Sequence, residues 1–194
     1  EWNQRGLEAA RGIEGAEAEA QALVDLAEGR LWAGDTITAR RLLVDAEGVR
    51  RRPHPLAWRH GLRARLLGAR LDLHEERAAE AAAGAMEVVE DAERIGAPKY
   101  GVLGMLATAR ARARLGEPVD REGVDAALRG LGGCAGLEAW WVTAELAAAL
   151  DVDSWWALSD ERVVTLAAAA GERAGAFRAH AARHLDRLRS AGRP

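Results

Sequence analysis

Turn signals recur along this chain at near-even spacing, and no segment between them alternates Val, Ile or Thr with polar residues as a strand would. The signals are "AGDT" (33–36), "RRPHP" (51–55), "DLHEE" (72–76), "IGAPK" (95–99), "LGEPVD" (115–120), "LGGCAG" (131–136), "DVDS" (151–154) and "AGER" (170–173). They predict helices over 2–13, 16–33, 36–50, 56–73, 75–95, 98–115, 120–131, 136–150, 154–170 and 172–190. Pro53 and Pro55 cannot continue a helix, while Pro98 and Pro118 fit the first turn of the next one. Asp35 and Ser154 are placed to accept N-cap hydrogen bonds, with Ser159 a weaker candidate.

Composition supports helices over sheets. Hydrophobic residues make up 49% of the 194, alanine is the largest part of them, and there is one Phe and one Tyr. Alanine is the best helix former but covers little area, so a core built from it must bring backbones close together. The net charge of −3 argues against a general nucleic-acid binder. Cys134 stands alone, which excludes an internal disulfide and a cysteine metal cluster. No apolar run is long enough to span a bilayer and no signal peptide opens the chain, so the expectation is a cytoplasmic protein with no membrane contact. The opening "EWNQRGLEAARG" reads as mid-helix, the mark of a fragment of a longer protein. Lys99 is the only lysine, and the Ala/Arg-rich composition points to a GC-rich coding genome.

The helices repeat in pairs. Placing "RLWAGDTITARRLL" (30–43) over "RLDLHEERAAEAAA" (70–83) aligns Arg-Leu, the turn, and Ala39 with Ala79; "RARLGE" (112–117) sets Gly116 on Gly34. Turns then fall at 34, 74, 116 and about 151, and one hairpin per 34 to 45 residues is the pattern of an α-solenoid. Residues 20–53 resemble a tetratricopeptide repeat (TPR). Counting Ala20 as the first position, Gly34, Ala39, Leu43 and Ala46 occupy small and apolar positions of that motif. Pro53 falls about two residues late for its terminal Pro. Leu23, Ala27 and Arg30 stand where the motif has Trp, Gly and Tyr. The longer later hairpins, with "ERIGAPKYGVLGMLATARARARLG" (93–116), are similar to the TPR-like superhelices C-terminal to the sensor or ATPase modules of large bacterial transcription regulators. The resemblance implies an all-α, right-handed superhelix of about four hairpins (16–50, 56–95, 98–131, 136–170) with a capping helix at 172–190, together one domain. It also implies a scaffold that binds protein or peptide, without catalysis or cofactor.

The aromatic content raises a second question. Trp140, Trp141, Trp155 and Trp156 form two adjacent pairs. Neighbouring helical residues point ~100° apart, so each doublet sends one ring to each of two surfaces, which suits packing better than a single aromatic cage. In a hairpin turning near 151, Trp156 faces Ala147, and Trp141 faces Arg162 or Val163. The alternative is an interface or ligand-binding role for these four rings. Trp32 and Trp58 are assigned to the hairpin core, and Trp2 to a truncated first helix.

"HAARH" puts His180 and His184 at chelating spacing, but no third ligand announces itself, and His184 shares a face with Phe177, Ala181 and Leu188; packing is expected and no metal. "GLGGCAG" (130–136) follows a helix, not the strand a dinucleotide loop requires, so it is read as a linker. Asp151 and Asp153 read as turn and cap residues, and no base, nucleophile or metal constellation points to an enzyme.

Charge is patterned. Residues 72–93 carry Asp72, Glu75, Glu76, Glu80, Glu87, Glu90, Asp91 and Glu93 against Arg77 alone. On the preceding helix Arg59, Arg63 and Arg70 lie within ~40° of one another, and Arg110 and Arg114 share a face further on. In TPR-like solenoids the first helix of each hairpin lines the concave groove. The resemblance therefore makes Arg59, Arg63, Arg70, Arg110 and Arg114 candidates to bind an acidic peptide or protein there, or another domain of the parent protein. The alternative is that these arginines bridge to acids of neighbouring helices. Two other functions remain open: a small-ligand sensor with a pocket near the Trp doublets, and a self-association module forming homodimers.

Overall fold

The computed structural model describes residues 2–131 and 136–191, excepting the side chains of Trp2 and Ala191. Cys134 and most of the "GLGGCAG" linker lie outside the described residues. Among those described, the chain is all-helical: α1 (Trp2–Gly12), α2 (Ala16–Trp32), α3 (Thr36–Arg50), α4 (Ala57–His74), α5 (Ala78–Ile95), α6 (Pro98–Arg114), α7 (Arg121–Gly130), α8 (Gly136–Leu150), α9 (Asp153–Ala169) and α10 (Ala174–Ala191). A 3-10 turn over Gly171–Arg173 precedes α10. No helix among the described residues is long and apolar enough to cross a membrane.

The turns at the predicted hairpin points share one device. Gly34, Glu76, Gly116 and Asp151 each have positive φ, 80°, 61°, 71° and 50°. A single left-handed residue reverses the chain and lets the next helix start within a few residues. Glycine takes that conformation freely; Glu76 and Asp151 adopt it against the Cβ penalty. At the first of these turns Asp35 caps α3, accepting from the Thr38 backbone N–H at 3.1 Å. The hydrogen bonds from Thr38 hold the Asp35 carboxyl below its ordinary pKa. Asp35→Ala should lower the thermal midpoint by a few degrees, with Asp35→Asn retaining most of it; equal midpoints for the two variants would remove the cap from the account. Ser154 does not cap α9. That helix begins at Asp153 behind Val152, which offers no side-chain acceptor. Pro118 lies in the connector before α7, which starts at Arg121.

The described residues fall into two compact units, residues 1–107 and 108–194, the division lying within α6. In the first unit α1 packs on α2, α2 on α3, α3 on α4 and α4 on α5, and α2 also meets α4. Connections of three to six residues make consecutive helices antiparallel. Its core combines Leu23, Val24, Leu62, Leu71, Val88 and Leu106 with the buried alanines 20, 27, 39, 46, 81, 85 and 92. Gly104 shows how close the backbones come: a Cβ there would stand 2.9 Å from Val89 Cγ2 and 3.0 Å from the Ala85 carbonyl oxygen. In the second unit α8 is buried without a break from Ala139 to Ala147, with α9 and α10 packed on it. A helix enclosed on every face belongs in a core, and the polar Thr143 and Glu145 within this one are buried with it.

Candidate functional site

The tryptophans are mostly structural. Trp140 and Trp141 are 0% and 1% exposed. Trp140 presents its ring edge-on to Phe177 at 5.7 Å and His184 at 5.6 Å, and Trp141 meets the same His184 at 6.0 Å. Both rings of this doublet therefore converge on α10, where a lone hairpin would send them to different surfaces. Trp155 is buried, and its Nε1–H donates to Asp125 of α7 at 3.0 Å. Trp156 is half-buried beneath the Arg189 guanidinium, 5.0 Å from the ring centre. Arg162 extends to α7 and α8: it donates to the Ala139 carbonyl at 2.8 Å, and to the Leu128 carbonyl and the Thr143 hydroxyl. Burial holds its pKa below the usual guanidinium value.

Two assignments to the core separate. Trp32 is half-buried, but Trp58 is 45% exposed. Trp58 sits in the first turn of α4, at the end of its hairpin, where Tyr100 meets it edge-on at 6.2 Å and Lys99 stands 5.7 Å from the Tyr100 ring.

The five candidate arginines divide by environment. Arg63 is 12% exposed at its side chain and donates to Asp25 at 2.9 Å and Glu28 at 3.2 Å, both on α2. Arg110 is 14% exposed and bonds Glu145 of α8, itself 2% exposed, at 2.7 Å. Arg70 is half-buried, and Arg59 and Arg114 are exposed. One angular stripe on α4 thus runs from solvent at Arg59 into the contact with α2 at Arg63. The "RRR" triplet divides in the same way. Arg50 donates to Glu47 at 2.7 Å, Arg52 bonds the buried Glu19, and Arg51 stays 78% exposed, 3.9 Å from Glu47. Glu19, buried against Arg11 at 2.9 Å and Arg52, has its pKa lowered by the Arg11 bond first. Nothing in the spacing of Glu19 distinguishes it from a surface acid, and sequence reasoning missed it.

A groove of about 860 Å³ lies in the first unit, with α4 as its floor and α3 and α5 as its walls. Ala64, Gly68 and Ala69 line the floor; Leu43, Val44 and Gly48 line one wall and Gly84 the other. Val44 is 67% exposed. Ion pairs close both ends. At one, Arg40 bonds Asp72 at 2.9 Å and Glu75 at 3.0 Å, and Arg77 shares both acids. At the other, Arg65 bonds Asp91 at 2.6 Å, Arg94 joins it, and Arg50 pairs with Glu47. The Arg94 bond, then that of Arg65, holds the Asp91 carboxyl below its usual range. A small apolar floor between two ion clusters, one balanced and one with a surplus of arginine, has the form that accepts a helix or an extended segment. The period of the sequence gives the hairpins but not the gap between α3 and α5, which follows from how far α4 holds them apart.

Two histidines pack nearby. His54, in the connector before α4, and His60 lie with ring centres 5.3 Å apart. His60 Nε2 is 3.2 Å from Gln21 Oε1 and donates to it in the Nε2–H tautomer. Both His54 nitrogens and His60 Nδ1 are buried without a hydrogen-bond partner among the described residues. Burial lowers the His60 pKa first, and His54, Arg59 and Arg63 lower it further against an opposing pull from Glu17. His180 of α10 is lowered by burial too, then by Arg183 and Arg187. For a histidine depressed in the folded state, the unfolded chain takes the proton more readily. Stability present above about pH 6.5 is therefore lost as pH falls below it. The urea midpoint should drop between pH 7.5 and 5.5, above the range where the paired carboxylates protonate. His60→Gln and His180→Gln should each flatten part of that drop; an unchanged slope in both would show the histidines to be uninvolved.

Among the described residues no group of three His, Cys, Asp or Glu is placed to hold a metal ion. Set beside known proteins, the chain matches no family model, no curated protein and no solved structure.

Proposed function

We propose that the chain is a non-catalytic interaction module whose helical hairpins stack in a TPR-like, right-handed superhelix and hold a segment of a protein partner. The observation that carries this is the α3–α4–α5 groove, whose apolar lining and exposed Val44 lie open between paired charges. The parent is a larger bacterial regulator, a reading that rests on the resemblance of residues 20–53 and 93–116. Its partner is then a regulatory protein or a domain of the parent itself.

A photo-cross-linking amino acid at Val44, in the full-length protein in its host, tests the reading. A single protein adduct, absent when the cross-linker stands at exposed Glu122 and lost in Gly68→Leu, supports it. Equal labelling from both positions, or none at Val44, sinks it. Trp58, exposed beside Tyr100, Lys99 and Arg59, favours a second contact surface on the same partner, since Trp, Tyr and Arg dominate binding energy at interfaces. Trp58→Ala should then weaken adduct formation while leaving the urea midpoint nearly unchanged.

A further inference from the structure

The groove's charges separate into those neutralised within the fold and those left outward. Arg40, Arg50 and Arg65 each hold a carboxylate of their own helix or a neighbouring one. On the α5 wall, Gly84 and Asp91 line the groove. Glu80 and Glu87 fall on the same helical face as those two, within ~60° of Gly84, and both are exposed. Glu90 and Glu93 continue the acidic exposure around α5. Opposite them, Arg51 is the exposed cation of the α3 rim, at the end where α3 terminates.

The dimensions fit a helix. Arg40 to Arg51 on one wall and Glu80 to Asp91 on the other are each eleven residue steps, ~16 Å at the usual rise. That length holds about three helical turns. The walls and floor also accommodate close approach. Gly48, Gly68 and Gly84, one from each helix, stand inside regular helix where glycine is among the poorest formers. A Cβ added to any of them would meet nothing within 4 Å. The packing of this chain therefore does not require those glycines, while a helix lying on the floor needs the space they leave.

We infer that the α3–α4–α5 groove binds an amphipathic helical segment of a partner protein, about three turns long. Its small apolar stripe lies on Ala64 and Gly68, and its Lys/Arg flank faces Glu80 and Glu87 of α5. This inference rests on the interaction reading above and reverses the charge expected of the partner from the arginine stripe. The arginines of that stripe which reach acids, Arg63 and Arg110, serve the interior. Along the α5 wall the exposed charge is carboxylate, Glu80 and Glu87, while the surplus of arginine stands at the Arg51 end. The bound segment directs its C-terminal, dipole-negative end toward Arg51.

The test is a displayed library of about 15-residue lactam-stapled helices, randomised on every face and selected on the whole chain, with affinities then read by fluorescence anisotropy. Selected peptides should carry Lys or Arg at i, i+3/i+4 and i+7 beside a stripe of small apolar residues. Glu80→Arg/Glu87→Arg should weaken them at least tenfold. Gly68→Leu should do the same while raising the thermal midpoint, an effect no structural role for that glycine would give. The charge reversal lies on an exposed face, so it keeps the test decisive whether or not Gly68→Leu folds. Enrichment of acidic peptides, enrichment of none, or affinities indifferent to the charge reversal overturns the inference. So does a concentration-dependent dimer in light scattering that Gly68→Leu dissolves, since the occupant is then a second copy. A Gly68-dependent adduct at Val44 together with acidic selected peptides would retain the interaction module and discard this partner chemistry. No adduct and no enrichment would discard both.

Discussion

Trp140→Ala should destabilise the 108–194 unit by about 3–5 kcal/mol, the range for deleting a fully buried aromatic side chain. The ring has no solvent exposure and lies edge-on to both Phe177 and His184, so its loss leaves a void between α8 and α10. The surrounding residues have little capacity to collapse into it, because α8 is enclosed from Ala139 to Ala147. Set against a typical domain stability of about 5–15 kcal/mol, that loss brings α10 close to detachment. Urea unfolding followed by far-UV circular dichroism measures the change, and proteolysis in the α9–α10 connection reports the detachment. Trp156→Ala is the internal contrast. Its ring is half-buried beneath Arg189, and the substitution should cost about 1 kcal/mol or less. Similar losses for the two variants would contradict the burial assigned to the first doublet.

Arg110→Met should cost about 3–5 kcal/mol, because it removes the guanidinium 2.7 Å from a carboxylate, that of Glu145, which is 2% exposed. The double variant Arg110→Met/Glu145→Leu should recover most of that loss. Well-packed apolar replacements of a buried pair are often close to neutral, whereas one partner alone leaves a buried charge without its counter-ion. A double-mutant cycle by urea unfolding measures both terms. A single-variant cost under about 1 kcal/mol, or a double variant no better than the single, would show that Arg110 does not offset the burial of Glu145. Arg59→Glu and Arg114→Glu, at exposed positions, should stay within about 0.5 kcal/mol of the parent. Binding tests that reverse Arg63 or Arg110 would therefore confound loss of a partner with loss of the fold.

How far the chain could be read without its structure differs from one feature to another. The helices were legible almost residue by residue, because Pro53, Pro98, Gly34 and Asp35 act through their own backbone or the next turn, and such effects need no tertiary context. The alanine-rich packing was legible for the same reason: with so few large side chains, only close helices can exclude water. Ser154 lies two residues beyond the N-cap position of α9, held by Val152, and Pro118 lies three residues before α7 begins.

The candidate site was legible only as a list of residue types. A helical wheel sets Arg59, Arg63 and Arg70 on one stripe, but whether a guanidinium faces water or a carboxylate depends on which helix lies opposite. Asp25 and Glu28 are 35 or more residues from Arg63 in sequence. Glu145 is equally remote from Arg110. Trp58 was placed in the core because large aromatics usually belong there, and its location at a hairpin end moved it into solvent. Propensities and backbone sterics within a few residues set the all-helical class and the turn positions, and these were readable from the sequence. Only the tertiary structure decided which charges are consumed in ion pairs, which tryptophans are enclosed, and that α3 and α5 stand apart over α4. Those outcomes depend on the distance and facing of helices far apart in the chain, which no local pattern encodes.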